Sequence, residues 1–267
     1  MDKLIFAVVM IFQVNNNQVI GTATGFFYEF ENKTYLITNK HVLEYSLKGN
    51  NPKIYLKLHT DNKDLSKLKT VEIPLIKDKN LNWFSYNDAD IAALPIPANL
   101  FKGTITNSFS KKDFPPKDLQ LEVGSELIAL GYPRGFTDNI NMTPIAKTCI
   151  ISTPLSSPFE NKPFFLMDGN LMPGMSGSPI ILKPSSTHNI KGGISFSQEP
   201  VSFFLGIHSA TISKQIGEKQ EPIYTLENGE IKISGFKKVP INENLGLQTC
   251  WFNGLIENLL IEIDKSK

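Results

Sequence analysis

Pro173-Gly174-Met175-Ser176-Gly177-Ser178-Pro179 decides how the rest of this 267-residue chain is read. A serine between glycines sits on a tight loop, where missing side chains let a carbonyl carbon approach its hydroxyl. The amides of Gly174 and Ser176 can point at one place, where an oxyanion would form. Taken alone, a Gly-x-Ser-Gly turn is more often only a turn, so a base and a carboxylate have to be sought elsewhere.

Four histidines are available as the base. His59, in Leu58-His59-Thr60, and His188, in the polar stretch Ser186-Thr187-His188-Asn189, read as solvated surface residues. His41 stands at the exit of the apolar strand Tyr35-Leu36-Ile37-Thr38, a position suited to a cleft. His208 lies inside the apolar strand Leu205-Gly206-Ile207-His208-Ser209-Ala210 and by itself reads as a core histidine. Asp90 precedes Ile91-Ala92-Ala93-Leu94, at a strand entrance where a half-buried carboxylate could fix an imidazole tautomer. Asp88 is the competitor, set further into the polar Tyr86-Asn87-Asp88 loop.

Outward from these residues the chain reads as short strands separated by turns, with 18 Gly, 17 Pro and 18 Phe. Apolar runs cover residues 4–14, 22–30 and 34–39, and the partly alternating segments Ile54–Leu58 and Val71–Leu75 follow. Ser110-Lys111-Lys112-Asp113-Phe114-Pro115-Pro116-Lys117-Asp118 is polar and proline-broken, the best linker in the sequence. Strands resume at Glu126–Leu130 and continue to Ser209. Asn228-Gly229 between alternating runs marks a tight type I′ hairpin. Leu255, Ile256, Leu259, Leu260 and Ile263 fall at helical spacing. The expected architecture is all-β: an N-terminal unit over 1–109, a linker at 110–118, a second unit over 119–250 and a closing helix at 251–264.

Composition excludes several classes of function. With 27 Lys plus Arg against 26 Asp plus Glu, and Arg134 the single arginine, a nucleic-acid binder is not expected. The run Leu4–Phe12 is too short to span a membrane as a helix. It also lacks the small-x-small site of a signal peptide, so it reads as a buried strand rather than a leader or a membrane anchor. Cys149 and Cys250 cannot staple a chain this size and read as free buried thiols, which points to a cytoplasmic location rather than secretion. No paired His or Cys spacing calls for a metal, and no phosphate-binding glycine loop calls for a nucleotide cofactor.

In order along the chain, Thr38-Asn39-Lys40-His41, Asp90-Ile91-Ala92-Ala93-Leu94 and Gly174-Met175-Ser176-Gly177-Ser178-Pro179 resemble the three motifs of chymotrypsin-like serine peptidases. The order His, Asp, Ser suits that fold and not those of subtilisin or the α/β-hydrolases, whose nucleophile elbow would need glycine at Ser178. The resemblance covers roughly residues 5–210 and 243–264, and is closest in look to bacterial glutamyl endopeptidases and high-temperature-requirement proteases. It implies two six-stranded antiparallel β-barrels, with Ser176 as nucleophile, His41 as base and then acid, and Asp90 as orienting carboxylate. It further implies an oxyanion hole from the amides of Gly174 and Ser176, and a bond from Ser209 to the aspartate. Met175 stands where digestive members carry an aspartate that pairs with a freed N-terminus, so activation by that switch is not expected here.

The same resemblance implies a primary pocket lined by Asn170, Leu171, Gly206 and His208, and a preference for Glu or Gln before the scissile bond. The alternative is that His208 only packs beneath a pocket for small or apolar residues. Asp168 lies two positions too early to read Lys or Arg. Residues 213–242 read as an insertion, either surface decoration or, through the hairpin 223–233, a docking element for substrate or partner. The implied activity is an endopeptidase acting on protein or peptide through an acyl-enzyme. The rival is a catalytically silent or latent binding module on the same fold.

Overall fold

The computed structural model describes residues 2–16, 18–48, 51–227 and 229–265. The chain opens with one helical turn, α1 (Asp2–Ile5), and the first strand begins at β1 (Val8–Asn15). The apolar run that read as a strand from Leu4 therefore starts later: Ala7 N–H donates to Leu4 O and closes a turn first. Strands β2 (Gln18–Phe30), β3 (Lys33–Thr38), β4 (Lys53–His59) and β5 (Leu68–Pro74) follow, with helix α2 (Lys40–Ser46) after β3. Next come a small hairpin of β6 (Ile76–Lys77) and β7 (Asn80–Leu81), then β8 (Phe84–Ser85) and β9 (Ala92–Ile96).

The N-terminal strands form an open seven-stranded sheet ordered β5-β4-β1-β2-β3-β9-β8, not the closed six-stranded barrel expected. Between β5 and β8 the chain turns aside into the β6–β7 hairpin, through Asp78 and Lys79 at positive φ. β8 is only two residues long, and among the described residues no strand pairing joins β8 to β5 at the other end of the sheet.

The second half closes. Strands β10 (Glu126–Gly131), β11 (Ile145–Ile151), β12 (Phe164–Asp168), β13 (Pro179–Leu182), β16 (Phe204–Glu227) and β17 (Glu230–Phe252) form a barrel ordered β10-β11-β12-β17-β16-β13. The remaining pair, β14 (Ser185–Ile190) and β15 (Gly193–Val201), makes a separate hairpin. The polar stretch around His188 thus forms a strand. Over residues 213–242 the barrel strands β16 and β17 run on as a hairpin, paired out to Glu227 and Glu230. Gly229 at the tip has φ +83°, while Asn228 of the expected turn lies outside the described residues. Helix α3 (Gly254–Lys265) closes the chain.

Each half has its own apolar core, around Ile11, Phe27, Leu36 and Leu56 in the first and Leu127, Phe165, Met175 and Cys250 in the second. A third core joins them. Phe26 from β2, Phe109 and Phe204 from β16 meet with ring centroids 4.9–5.5 Å apart, and Ile256, Leu260 and Ile263 of α3 belong to the same cluster. Tyr28 O–H donates to Glu257 and Lys33 Nζ to Asp264 at 2.8 Å, which ties α3 to the first sheet. The two sheets are thereby fixed to one another with β2 and β3 facing the loop before β13. Among the described residues, no helix is long and apolar enough to cross a membrane.

Candidate active site

His41 is the second residue of α2, directly after the exit of β3. Its ring Nδ1 lies 2.7 Å from Asp90 Oδ2, and its backbone N–H donates to Asp90 Oδ1 at 3.0 Å. Asp90 therefore grips the imidazole and also satisfies an amide of the first helical turn, where an anion is favoured. Asn39 Nδ2 donates to Asp90 O at 2.7 Å and fixes the segment from behind. Ser209 O–H donates to Asp90 Oδ2 as well. Burial alone would raise the Asp90 carboxyl. The hydrogen bond and charge of His41, with the bonds from Ser209 and the His41 amide, outweigh burial and hold it below the usual carboxylate value. Asp88 is exposed, in the loop before Asp90.

Since Asp90 is ionised, Nδ1 of a neutral His41 must carry the proton, which leaves Nε2 as a base. Ser176 Oγ donates to Ser209 O at 3.3 Å. Residues 41, 90, 176 and 209 thus meet where the two sheets face each other. Among the described residues no hydrogen bond joins Ser176 to the His41 ring.

The loop carrying Ser176 is locked through its carbonyls. Pro173 O accepts from Arg134 N at 2.5 Å and Met175 O from Ser178 N at 2.9 Å. In a trans peptide the C=O and N–H point opposite ways, so these bonds turn the Gly174 and Ser176 amides to the other side. Among the described residues those two amides have no protein partner, while their neighbours Met175, Gly177 and Ser178 all donate. Gly174, at φ +92°, has Tyr132 O only 2.5 Å from where a Cβ would stand; for Gly177, at φ +88°, Thr24 O would be 2.0 Å away. Only glycine permits either approach. Met175 is fully buried with Leu171, Cys149 and Cys250, so apolar packing anchors the loop where an ion pair is absent.

Thr24 and the Tyr132–Gly135 turn are functional neighbours that pattern reading missed. Thr24 Oγ1 donates to Gly174 O at 2.8 Å and accepts from Tyr132 N at 3.1 Å, and Thr24 N donates to Ser176 O at 3.0 Å. The sequence signal here is that residues 21–27 and 131–135 resemble strand-opening segments of bacterial glutamyl endopeptidases and high-temperature-requirement proteases, which does not say what they touch.

The pocket residues are spread. His208 is buried, with Nδ1 3.4 Å from Thr249 O, and Gly206 pairs with Phe252 on the neighbouring strand β17. Desolvation pushes the His208 imidazole down to about 4. Leu171 points into the second core, whereas Asn170 and Asp168 are exposed. His59 is buried rather than solvated: its Nε2 lies 2.7 Å from Asn141 O and Phe6 packs against its ring. His188 Nε2 lies 3.2 Å from Val201 O. Cys149 and Cys250 are both free and buried. Among the described residues no cluster of three or more His, Cys, Asp or Glu side chains is arranged to hold a metal ion.

Residues 23–185 match the model of the trypsin-like peptidase domain, and the chain belongs to that family. Among solved structures it is similar to a protease from M. tuberculosis in its active form, with 16% identity, a TM-score of 0.51, and coverage of 96% of this chain and 80% of that one. A serine endoprotease from Yersinia pestis shares 18% identity at a TM-score of 0.45, covering 78% of this chain. The chain spans 55% of that endoprotease's length. No curated protein sequence matches the chain.

Proposed function

We propose that this protein is a serine endopeptidase in which Ser176 attacks the scissile carbonyl. Its hydroxyl turns from Ser209 O to His41 Nε2, which takes the proton as the Oγ–C bond forms. The amides of Gly174 and Ser176 receive the oxyanion, His41 returns the proton to the leaving amine, and water then repeats the sequence on the acyl-enzyme. Asp90 stays ionised and stabilises the imidazolium. One observation carries this reading: among the described residues the amides of Gly174 and of Ser176 itself have no protein partner, while those of Met175, Gly177 and Ser178 around them all donate. A silent module has no use for such an arrangement.

His208 sharpens the residue preference. Thr249 O can only accept, so Nδ1 of the neutral ring is the donor and Nε2 keeps a lone pair. Such a ring matches the side-chain N–H of Gln better than the carboxylate of Glu, and we assign Gln over Glu at neutral pH.

Exposure to a serine-reactive fluorophosphonate tests the activity. Wild type should be labelled and Ser176→Ala should not. Folded wild-type protein that neither labels nor cleaves any peptide would refute the peptidase reading.

A further inference from the structure

Beyond the barrel, β16 and β17 continue as a two-stranded ribbon whose chemistry the active site does not use. Its pairing sets Tyr224 opposite Ile233 and Leu226 opposite Ile231. Residues two apart on a strand share a face, so these four side chains form one patch at the ribbon tip. Each is 55–74% exposed. Thr225, Lys232, Glu227 and Glu230 occupy the opposite, polar face. The patch offers about 500 Å² of apolar surface, the scale at which an exposed patch marks an interaction site.

Three observations choose the occupant. Between Ser213 and Leu245 the ribbon carries five lysines and five glutamates. Four ion pairs within it, Lys219–Glu221, Lys232–Glu227, Lys237–Glu221 and Lys238–Glu218, lie at 2.9–3.9 Å, so a strongly charged partner finds no field to follow. The patch falls short of the roughly 800 Å² per partner that a stable dimer needs, which disfavours a second copy. Finally, the ribbon is continuous with the cleft. On the side away from β17, β16 pairs with β13 only as far as Ile207, and Ser176 Oγ meets it at Ser209.

We infer that the ribbon tip is an exosite for an apolar, unfolded segment of the same protein chain that is being cut. Tyr224 follows Ser209 by 15 residues, about 50 Å of extended strand, so a short peptide in the cleft cannot reach the tip whereas an unfolded protein can. Two weak contacts on one chain add as an effective concentration, and the tip raises cleavage of long substrates without touching the chemistry. This inference rests on the peptidase reading above.

The test uses a reduced, carboxymethylated unfolded protein and a chromogenic peptide of six residues or fewer. Leu226→Ser with Ile231→Ser should lower kcat/KM on the unfolded protein at least tenfold and leave the peptide unchanged, while Glu227→Gln with Glu230→Gln on the opposite face changes neither. Equal effects on both substrates, or none, overturn the exosite. A dimer in sedimentation that the apolar tip variant abolishes also overturns it, in favour of a second copy. If neither substrate is cleaved and Ser176 does not label, the peptidase reading fails separately. The ribbon is then decided by binding: Ser176→Ala protein should bind the labelled unfolded protein at least tenfold more tightly than the same protein with the tip serines, and equal affinity overturns the inference.

Discussion

Thr24 Oγ1 donates to the carbonyl of Gly174 at 2.8 Å, joining residues 150 positions apart in the chain and on opposite halves of the molecule. The same hydroxyl accepts from Tyr132 N, and Thr38 Oγ1, at the end of the strand leading to His41, donates to Thr24 O at 2.8 Å. One β2 residue therefore sets the loop of the nucleophile relative to the strand of the base. Thr24→Val should lower kcat on a small peptide about 10- to 100-fold with KM nearly unchanged, a loss smaller than or equal to that of one oxyanion donor. It should also destabilise the fold by about 1–3 kcal/mol, since the Tyr132 amide is left buried without a partner. Thr24→Ser keeps the hydroxyl and should restore kcat. Steady-state kinetics of the two variants check this.

Ser209 and His41 share one carboxylate oxygen of Asp90. Asp90→Asn should cost about 10⁴-fold in kcat, because the amide can hold the imidazole in the wrong tautomer. Ser209→Ala removes one charge-assisted bond and should cost about tenfold. The sign in pH follows from the lowered Asp90 carboxyl. Its stabilising contribution is present above the unfolded carboxylate value and is lost as pH falls through the lower, folded one. Without the Ser209 bond that carboxyl rises toward its unfolded value, so the acid-side loss of stability should begin at higher pH in Ser209→Ala, read as the acid-unfolding midpoint of the two proteins.

His208 makes the opposite kind of demand. Its pKa falls from 6.5 to about 4 on folding, chiefly through desolvation. Between those values the unfolded chain binds more protons than the folded one, so stability is complete above about 6.5 and declines as pH falls. From pH 7 to pH 5 the loss from this group should be about 2 kcal/mol. Denaturant titrations at both pH values should show it in wild type, and His208→Gln should lack it.

The segments that meet at the site were legible because each depends on a local pattern: a strand exit at His41, a strand entrance at Asp90 and a glycine-flanked turn at Ser176. What stayed hidden depends on contacts between distant segments. No periodicity places Thr24 against Gly174, or tells that Leu58 and His59 are both inward at the end of β4. The open first sheet was unreadable for a related reason. Closure turns on whether residues 76–86 lend a full strand to the edge, and a two-residue β8 with two left-handed turn residues upstream has no hydrophobic signature. The hairpin 223–233 was legible from its alternation and Asn-Gly turn, but not how far its strands stay paired toward the barrel, because a solvated strand pair has no core to mark its length.

Met175 supplies the last prediction. Its side chain is fully buried among Leu171, Cys149, Ile180 and Cys250, and its amide donates to Met172 O at 3.1 Å. Packing thus supplies the anchor of the loop on which the Gly174 and Ser176 amides are presented. Met175→Leu keeps the volume and should cost less than about 1.5 kcal/mol with labelling of Ser176 intact. Met175→Ala opens a cavity and should cost about 2–5 kcal/mol. Because the loop loosens before the barrel unfolds, fluorophosphonate labelling of Ser176 should slow at temperatures where circular dichroism still reports native strands. Met175→Asp buries a carboxylate among apolar groups and should be worse than alanine in both measurements. A Met175→Asp variant that labelled as fast as wild type would show that the loop is held by something other than this packing.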